Sequence, residues 1–425
     1  MVTTESEFVE TELGQLPKDW PLKKLEDVTT TITDYVANGS FASLKENVKY
    51  LDEEGYAILL RLTDYSNGFE GPFRYVDRHA YEFLSKSSVK PGDIIMSNVG
   101  SIGTIFKAPN LNKPMTLGPN AILIKANDFN DFLFFWFQSS IGKESVYRIA
   151  SKTAQPKFNK TDFRNLPIPV PPTSEQHAIT KILSTVRQAI DATEEVIAAA
   201  RELKRSMMKH LFTYGPVPVD RADQIDIKET PIGYLPADWK VVKMDSVTKI
   251  ILGQSPPSST YNKEGDGPEF LQGKAEFGDI YPSPIKWCSQ PKRIARKGSI
   301  LISVRAPVGD VNIARGDYCI GRGLASIDGY ESLDNWYLFY QLIFAKNRLE
   351  EKGTGSTFKS INKGILQQFN ISLPTIKEQH DIKKFLCVIE KKINTEISRR
   401  NSLGNLFSSL LHHLMTGKLR VPYEQ

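Results

Sequence analysis

A chain of 425 residues with 40% hydrophobic and 24% charged content is long enough to bury two or more separate cores. Its formal charge of +5 permits a nucleic-acid partner without requiring one. The first 20 residues are acidic and lack an apolar stretch, and no run approaches about 18 apolar residues, so export and membrane spanning are unsupported and a soluble, cytoplasmic protein is expected. Cys288, Cys319 and Cys387 form no CxxC pair, are an odd number for disulfides and sit at no zinc spacing, which reads as buried free thiols.

In chain order the expectation is an arm over residues 1–20, a first mixed α/β domain over 21–172, a long helix over 173–213, a linker over 214–234, a second α/β domain over 235–374, a second long helix over 375–416 and a tail over 417–425. In the first domain, residues 56–62, 93–97 and 121–125 are short β-rich runs bounded by Gly, Pro, Asn and Asp, and 132–137 reads as a short buried aromatic helix. The second domain repeats the pattern with strands at 269–272, 299–305 and 324–328 and an aromatic helix at 336–344. The long helices start at box-like pairs, Thr173 with Gln176 and Thr375 with Glu378. Apolar positions then alternate by four and three: Ile179, Leu183, Val186 and Ile190 running on to Met207 and Leu211, and Ile382, Leu386, Ile389 and Ile393 running on to Phe407, Leu410 and Leu414. Two such stripes in one chain are expected to cover each other as a coiled coil. About 40 residues at about 1.5 Å each make a rod of roughly 60 Å.

The chain is one unit written twice. Residues 117–214 lie over 320–417 at a constant offset of 203, pairing Asn159-Lys160 with Asn362-Lys363 and Glu175-Gln176-His177 with Glu378-Gln379-His380. An earlier echo at offset 219 pairs Thr11, Gly14, Leu16, Pro17, Asp19 and Trp20 with Thr230, Gly233, Leu235, Pro236, Asp238 and Trp239. The 15 residues before Leu16 and the nine after Thr416 make 24, close to the 21 of the linker, so the chain approaches a circular repeat. That symmetry implies antiparallel helices with the domains at opposite ends, and a pseudo-twofold protein suits a ligand with two related half-sites, such as duplex DNA.

The Leu-Pro-x-Asp-Trp entry, the Gly-Asp-Ile-Ile and Gly-Ser-Ile-Leu strands followed by Ser-Ile-Gly and Ala-Pro-Val-Gly, the Gly-Ser-Thr-Phe-Lys-Ser-Ile-Asn-Lys stretch and the Pro-x-x-x-Glu-Gln-His helix starts resemble the specificity subunit of Type I restriction-modification enzymes. The resemblance spans nearly the whole chain and departs at Ser151-Lys152-Thr153-Ala154-Gln155, where Gly-Ser-Thr-Phe is replaced. It implies a non-catalytic DNA-reading scaffold in an α/β (α+β) fold: two target recognition domains each read one half of a bipartite, asymmetric site, and an antiparallel coiled coil spaces them. It also implies two modification subunits that methylate adenine from S-adenosylmethionine, and restriction subunits that translocate and cut with ATP and Mg, so those cofactors belong to partners and none to this chain.

The motif content of the chain fits this division of labour. The sequence contains no Asn-Pro-Pro-Tyr or Asp-Pro-Pro-Tyr methyltransferase motif, no GxxxxGK[ST] and no metal-spaced histidines. Gly100, Gly103, Gly321 and Gly323 read as tight turns, and the Glu-Gln-His pairs as first-turn residues that complement the helix dipole. DNA contacts must then come from loops. Arg61 and Arg74 in the first domain and Lys274, Arg305 and Arg322 in the second lie at strand ends or turns, with Arg305 and Arg322 the foremost candidates for base edges. Asn98 and Gln272 suit adenine, and Lys152, Lys157, Lys160, Lys359 and Lys363 suit phosphates. The alternative left open is a coiled-coil scaffold whose end domains bind proteins rather than DNA.

Overall fold

The computed structural model describes residues 7–353 and 359–421. It divides into two compact units, one made of the residues up to Ala192 together with those from Arg399, the other of Thr193–Ser398. Each long helix therefore contributes to both units.

Each unit contains a hairpin, Phe8–Thr11 with Gly14–Pro17 and Ile227–Thr230 with Gly233–Pro236. The repeated Thr and Gly close it identically: the Thr11 and Thr230 hydroxyls donate to the Gly14 and Gly233 carbonyls, each at 2.6 Å. The strand after the repeated Trp then pairs with the strand before the long helix, Leu22–Lys24 with Pro167–Pro169 and Lys240–Lys243 with Asn370–Leu373. This pairing sets Trp20 and Trp239 against the helix starts.

Each unit carries a four-stranded antiparallel sheet in the same order. In the first unit it runs Thr31–Asp34, Ala121–Lys125, Ile94–Ser97, Ile105–Lys107, and in the second Thr248–Leu252, Leu324–Gly329, Ile300–Ser303, Val311–Ile313. The central strands are aliphatic without alternation because both faces are covered. Ile94, Met96, Ile122 and Ile124 face the core shared with the aromatic helix Asn130–Gln138 and the long helices, while Ile95, Ala121 and Leu123 face a second sheet. The second unit repeats this, with Ile300, Ile302 and Ile327 on one side and Leu301 and Leu324 on the other. That second sheet contains a parallel pair in both units, Ala57–Leu60 with Met115–Leu117 and Glu269–Leu271 with Tyr318–Ile320. The first of these strands stops short of the expected 56–62 because Arg61 begins a helix, Leu62–Ser66. Cys288 and Cys319 are buried and Cys387 half-buried, all as free thiols.

The long helices span Thr173–Tyr214 and Ile376–Met415. At the second start the expected box forms: the Thr375 N–H and hydroxyl donate to Glu378 at 2.9 and 2.6 Å, and the Glu378 N–H returns to the hydroxyl at 3.4 Å. At the first start it does not. Thr173 is already helical and Gln176 donates instead to the Pro171 carbonyl at 2.6 Å. The offset of 203 places Pro172, which has no N–H or hydroxyl, where Thr375 stands. Thr375→Ala is expected to cost about 1 kcal/mol, and Thr173→Ala less than about 0.5 kcal/mol, read as shifts in the denaturant midpoint of the full chain.

The seam holds, with one change. Ile179, Leu183 and Ile190 share a core with Phe407, Leu411 and Leu414, and Met208 and Leu211 share one with Ile382 and Leu386. The start of each helix thus lies against the end of the other, antiparallel, within each unit. Met208 and Leu411 are the buried residues where Met207 and Leu410 were expected, because a straight helix drifts from a strict seven-residue repeat and its last turns also cover the domain core. Arg187 stacks over the Phe407 ring at 4.5 Å, and Lys204 pairs with Glu390. The offset maps Arg187 onto Glu390 and Lys204 onto Phe407, so these are one contact point occurring twice.

Candidate nucleic-acid interface

The loop leaving the Ile94–Ser97 strand runs beside the segment that leads to the long helix. Val99 bridges Lys157, the Phe158 N–H donates to the Asn98 carbonyl at 3.2 Å, and the Gly100 N–H donates to Pro156 at 2.9 Å. These bonds bring Asn98 and Lys157 together, with Lys152 in the same exposed loop. The second unit builds the same crossing: Arg305 bridges Ser360 and the Ile361 N–H donates to Val304 at 2.9 Å, which sets exposed Arg305 beside Lys359 and near Lys363. The rest of that repeated stretch, Gly355-Ser356-Thr357-Phe358, lies outside the described residues. Lys160 and Lys363 open matching short helices whose Asn159 and Asn362 side chains cap them.

A third strand end joins this cluster in the second unit. The Val304 N–H donates to Gly323, the Gly323 N–H to Gln272, and the Arg322 N–H to the Ser255 hydroxyl, which also meets the Gln272 amide at 3.1 Å. Gln272, Arg305 and Arg322 thus stand at one end of the domain. Gly321 and Gly323 belong to a turn closed by the Leu324 N–H on the Gly321 carbonyl at 3.0 Å, and the close approach also demands small residues, since a Cβ on Gly323 would lie 2.6 Å from the Gln272 carbonyl. Gly100 and Gly103 do take the left-handed conformation, at φ of 74 and 77°.

The other candidates are engaged with carboxylates. Arg61 holds Asp64 at 2.7 Å, and its N–H, at the N-cap of the helix that follows, donates to the same carboxylate at 2.8 Å. Arg74 pairs with Asp52, Lys160 with Asp34 at 2.8 Å, and Lys274 with Asp310 at 2.6 Å. Burial alone would raise the Asp310 carboxyl, but hydrogen bonds from Lys274 and Lys346 outweigh it and hold it below the usual carboxylate range. In the parallel strand pairs Leu117 faces Leu60 and Ile320 faces Leu271, so Arg61 and Gln272 occupy equivalent positions. Asn98 and Val99 likewise stand where Val304 and Arg305 do. One frame therefore presents different side chains at matched places.

Sequence reasoning did not find the residues around Asn98. A cavity of about 530 Å³ is lined there by Val36, Phe41, Lys45, Tyr50 and Asn120 among others, and Phe41 is 83% exposed at its edge. The available signal was Ser40, an N-cap that places Phe41 off the buried stripe of Leu44 and Val48. Among the described residues no group of His, Cys, Asp and Glu could hold a metal ion, and no helix is long and apolar enough to cross a membrane.

Comparison with known proteins agrees with this duplicated frame. The family model described as Type I restriction modification DNA specificity domain matches twice, at residues 17–201 and 236–403. A protein of Methanocaldococcus jannaschii assigned as the type I restriction enzyme MjaX specificity subunit is 37% identical over 428 residues, covering 98% of this chain and 97% of its own. A chain from a solved type I R-M system assembly superposes with a TM-score of 0.55 at 28% identity, covering 95% of this chain and 99% of that one. The type I restriction-modification S subunit from M. genitalium shares the fold, with a TM-score of 0.59 at 15% identity over 97% of each chain.

Proposed function

We propose a function on the premise that this chain belongs to the Type I restriction modification DNA specificity family: it is the non-catalytic subunit that selects the DNA sequence on which partner subunits act. Each of its two α/β domains reads one half of a bipartite, asymmetric site in double-stranded DNA. The observation that carries this is the repeated frame with exchanged side chains, Arg61 against Gln272 and Asn98-Val99 against Val304-Arg305. Identical readers would need a palindrome; unlike readers on one frame need two different half-sites. The chain works with the other subunits of the system. Two modification subunits dock along the long helices and supply S-adenosylmethionine chemistry, and restriction subunits supply ATP- and Mg-dependent translocation and cleavage. Arg305 and Arg322, exposed at one loop cluster, suit guanine edges, and Lys152, Lys157, Lys359 and Lys363 suit phosphates. The alternative of a purely protein-binding scaffold gains no observation of its own.

Exchange of residues 21–172 for those of another member is the test. Methylome sequencing of cells carrying the hybrid is expected to show one half of the methylated site changed and the other half kept. Change in both halves, or in neither, would refute independent reading.

A further inference from the structure

We propose that the cavity beside Asn98 in the first domain seats one amino-bearing base, adenine or cytosine, turned out of the DNA stack. The inference rests on the DNA-reading function above and adds a site and a mode of reading to it. The volume of about 530 Å³ falls within the roughly 300–1,000 Å³ of small-molecule sites. Its walls are apolar and aromatic: Val36, Phe41 and Tyr50 are 43, 83 and 46% exposed. Three such side chains are costly in water and serve as stacking surfaces for a base. The Asn98 Oδ1 is fully buried, with no hydrogen bond among the described residues. A buried acceptor left so costs stability, and turning the half-buried amide toward the cavity lets it meet a ligand donor. An exocyclic amino group is such a donor, and the same amide can donate to the adjacent ring nitrogen of adenine or cytosine.

The surroundings favour a nucleotide over an apolar ligand. Lys45 stands exposed on the cavity wall and Lys157 on the loop bonded to Asn98, where both can meet phosphates. Asp34, the acid on the wall, is already neutralised by Lys160 at 2.8 Å and accepts from the Ala37 N–H. In the second unit the position of Asn98 is Val304, 5% exposed, which offers no amide. The device therefore belongs to one half-site only.

The test uses the enzyme assembled with its modification subunits and a DNA library randomised in both half-sites. Wild type is expected to methylate one bipartite site. Asn98→Leu and Phe41→Ala are each expected to lose discrimination at the same single position of the first half-site, between about 5-fold and 150-fold, and to keep the second half. Phe41 is exposed, so its variant separates loss of reading from loss of folding. Placing an abasic site opposite the read base removes the cost of unpairing and is expected to tighten binding at least about tenfold. Tightening that is absent would overturn the extrahelical seating, and full discrimination in both variants would overturn the pocket. A wild type without any bipartite preference would instead sink the function proposed above.

Discussion

Arg420→Ala is expected to destabilise the first unit by about 3 kcal/mol, a loss out of proportion to one residue near the end of a chain. Glu175, in the first turn of the first long helix, is fully buried. Its carboxylate accepts from the Trp20 indole at 3.0 Å and from Arg420 at 2.7 and 2.8 Å, and Arg420 also reaches Asp19 at 2.6 Å. The hydrogen bonds that Arg420 donates to Glu175 are the foremost reason its guanidinium is held protonated more firmly than usual. Removing it leaves a buried carboxylate with one neutral donor. The second unit is the internal control. There the matching Glu378 accepts from Trp239 at 3.0 Å, and its other oxygen is satisfied by the Thr375 cap, so no arginine is required. Chemical denaturation of the full chain is expected to show the early transition for Arg420→Ala, and Arg420→Lys, which keeps the charge but not the fork, should recover only part of the loss. Equal stability of wild type and Arg420→Ala would mean that the tail does not close the first unit.

The long helices, the central strands and the duplication were legible in the sequence because each is carried by periodicity or by fixed spacing. Leu183 and Leu386, or Ile94-Ile95-Met96 and Ile300-Leu301-Ile302, announce themselves without any tertiary context. The candidate site was legible only in part. Arg305 and Arg322 are exposed at strand ends as expected, and the Arg61–Asp64 pair is a local one three residues apart, but nothing local says that Lys274 faces Asp310. The equivalence of Arg61 with Gln272 stayed hidden for a geometric reason. It runs at an offset of 211, the hairpins run at 219 and the long helices at 203, because the intervening loops differ in length. The Asn98 cavity was hidden for the same kind of reason. Strand pairing draws residues 34–50, 98–99 and 119–121 to one wall, and no spacing along the chain encodes that meeting.

Insertion of one heptad into each long helix, after Ala199 and after Ser402, is expected to widen the gap between the two half-sites by about three base pairs. The contact point formed by Arg187 with Phe407 in one unit and Lys204 with Glu390 in the other fixes an antiparallel register. Seven residues restore the same face of a seam that repeats by four and three, so both contacts survive the paired insertion. Insertion in one helix alone would leave the added residues without a partner stripe, and loss of folding is expected there. Each helix gains about 10 Å at 1.5 Å per residue, and duplex DNA advances about 3.4 Å per base pair, which yields the expected shift. Both insertions fall close to the boundary between the compact units, so the two loop clusters, with Asn98 in one and Arg305 in the other, are left untouched. Methylome sequencing should therefore return the same two half-sites with a longer gap. A double insertion that methylates the original site with the original gap would show that the helices do not set the distance.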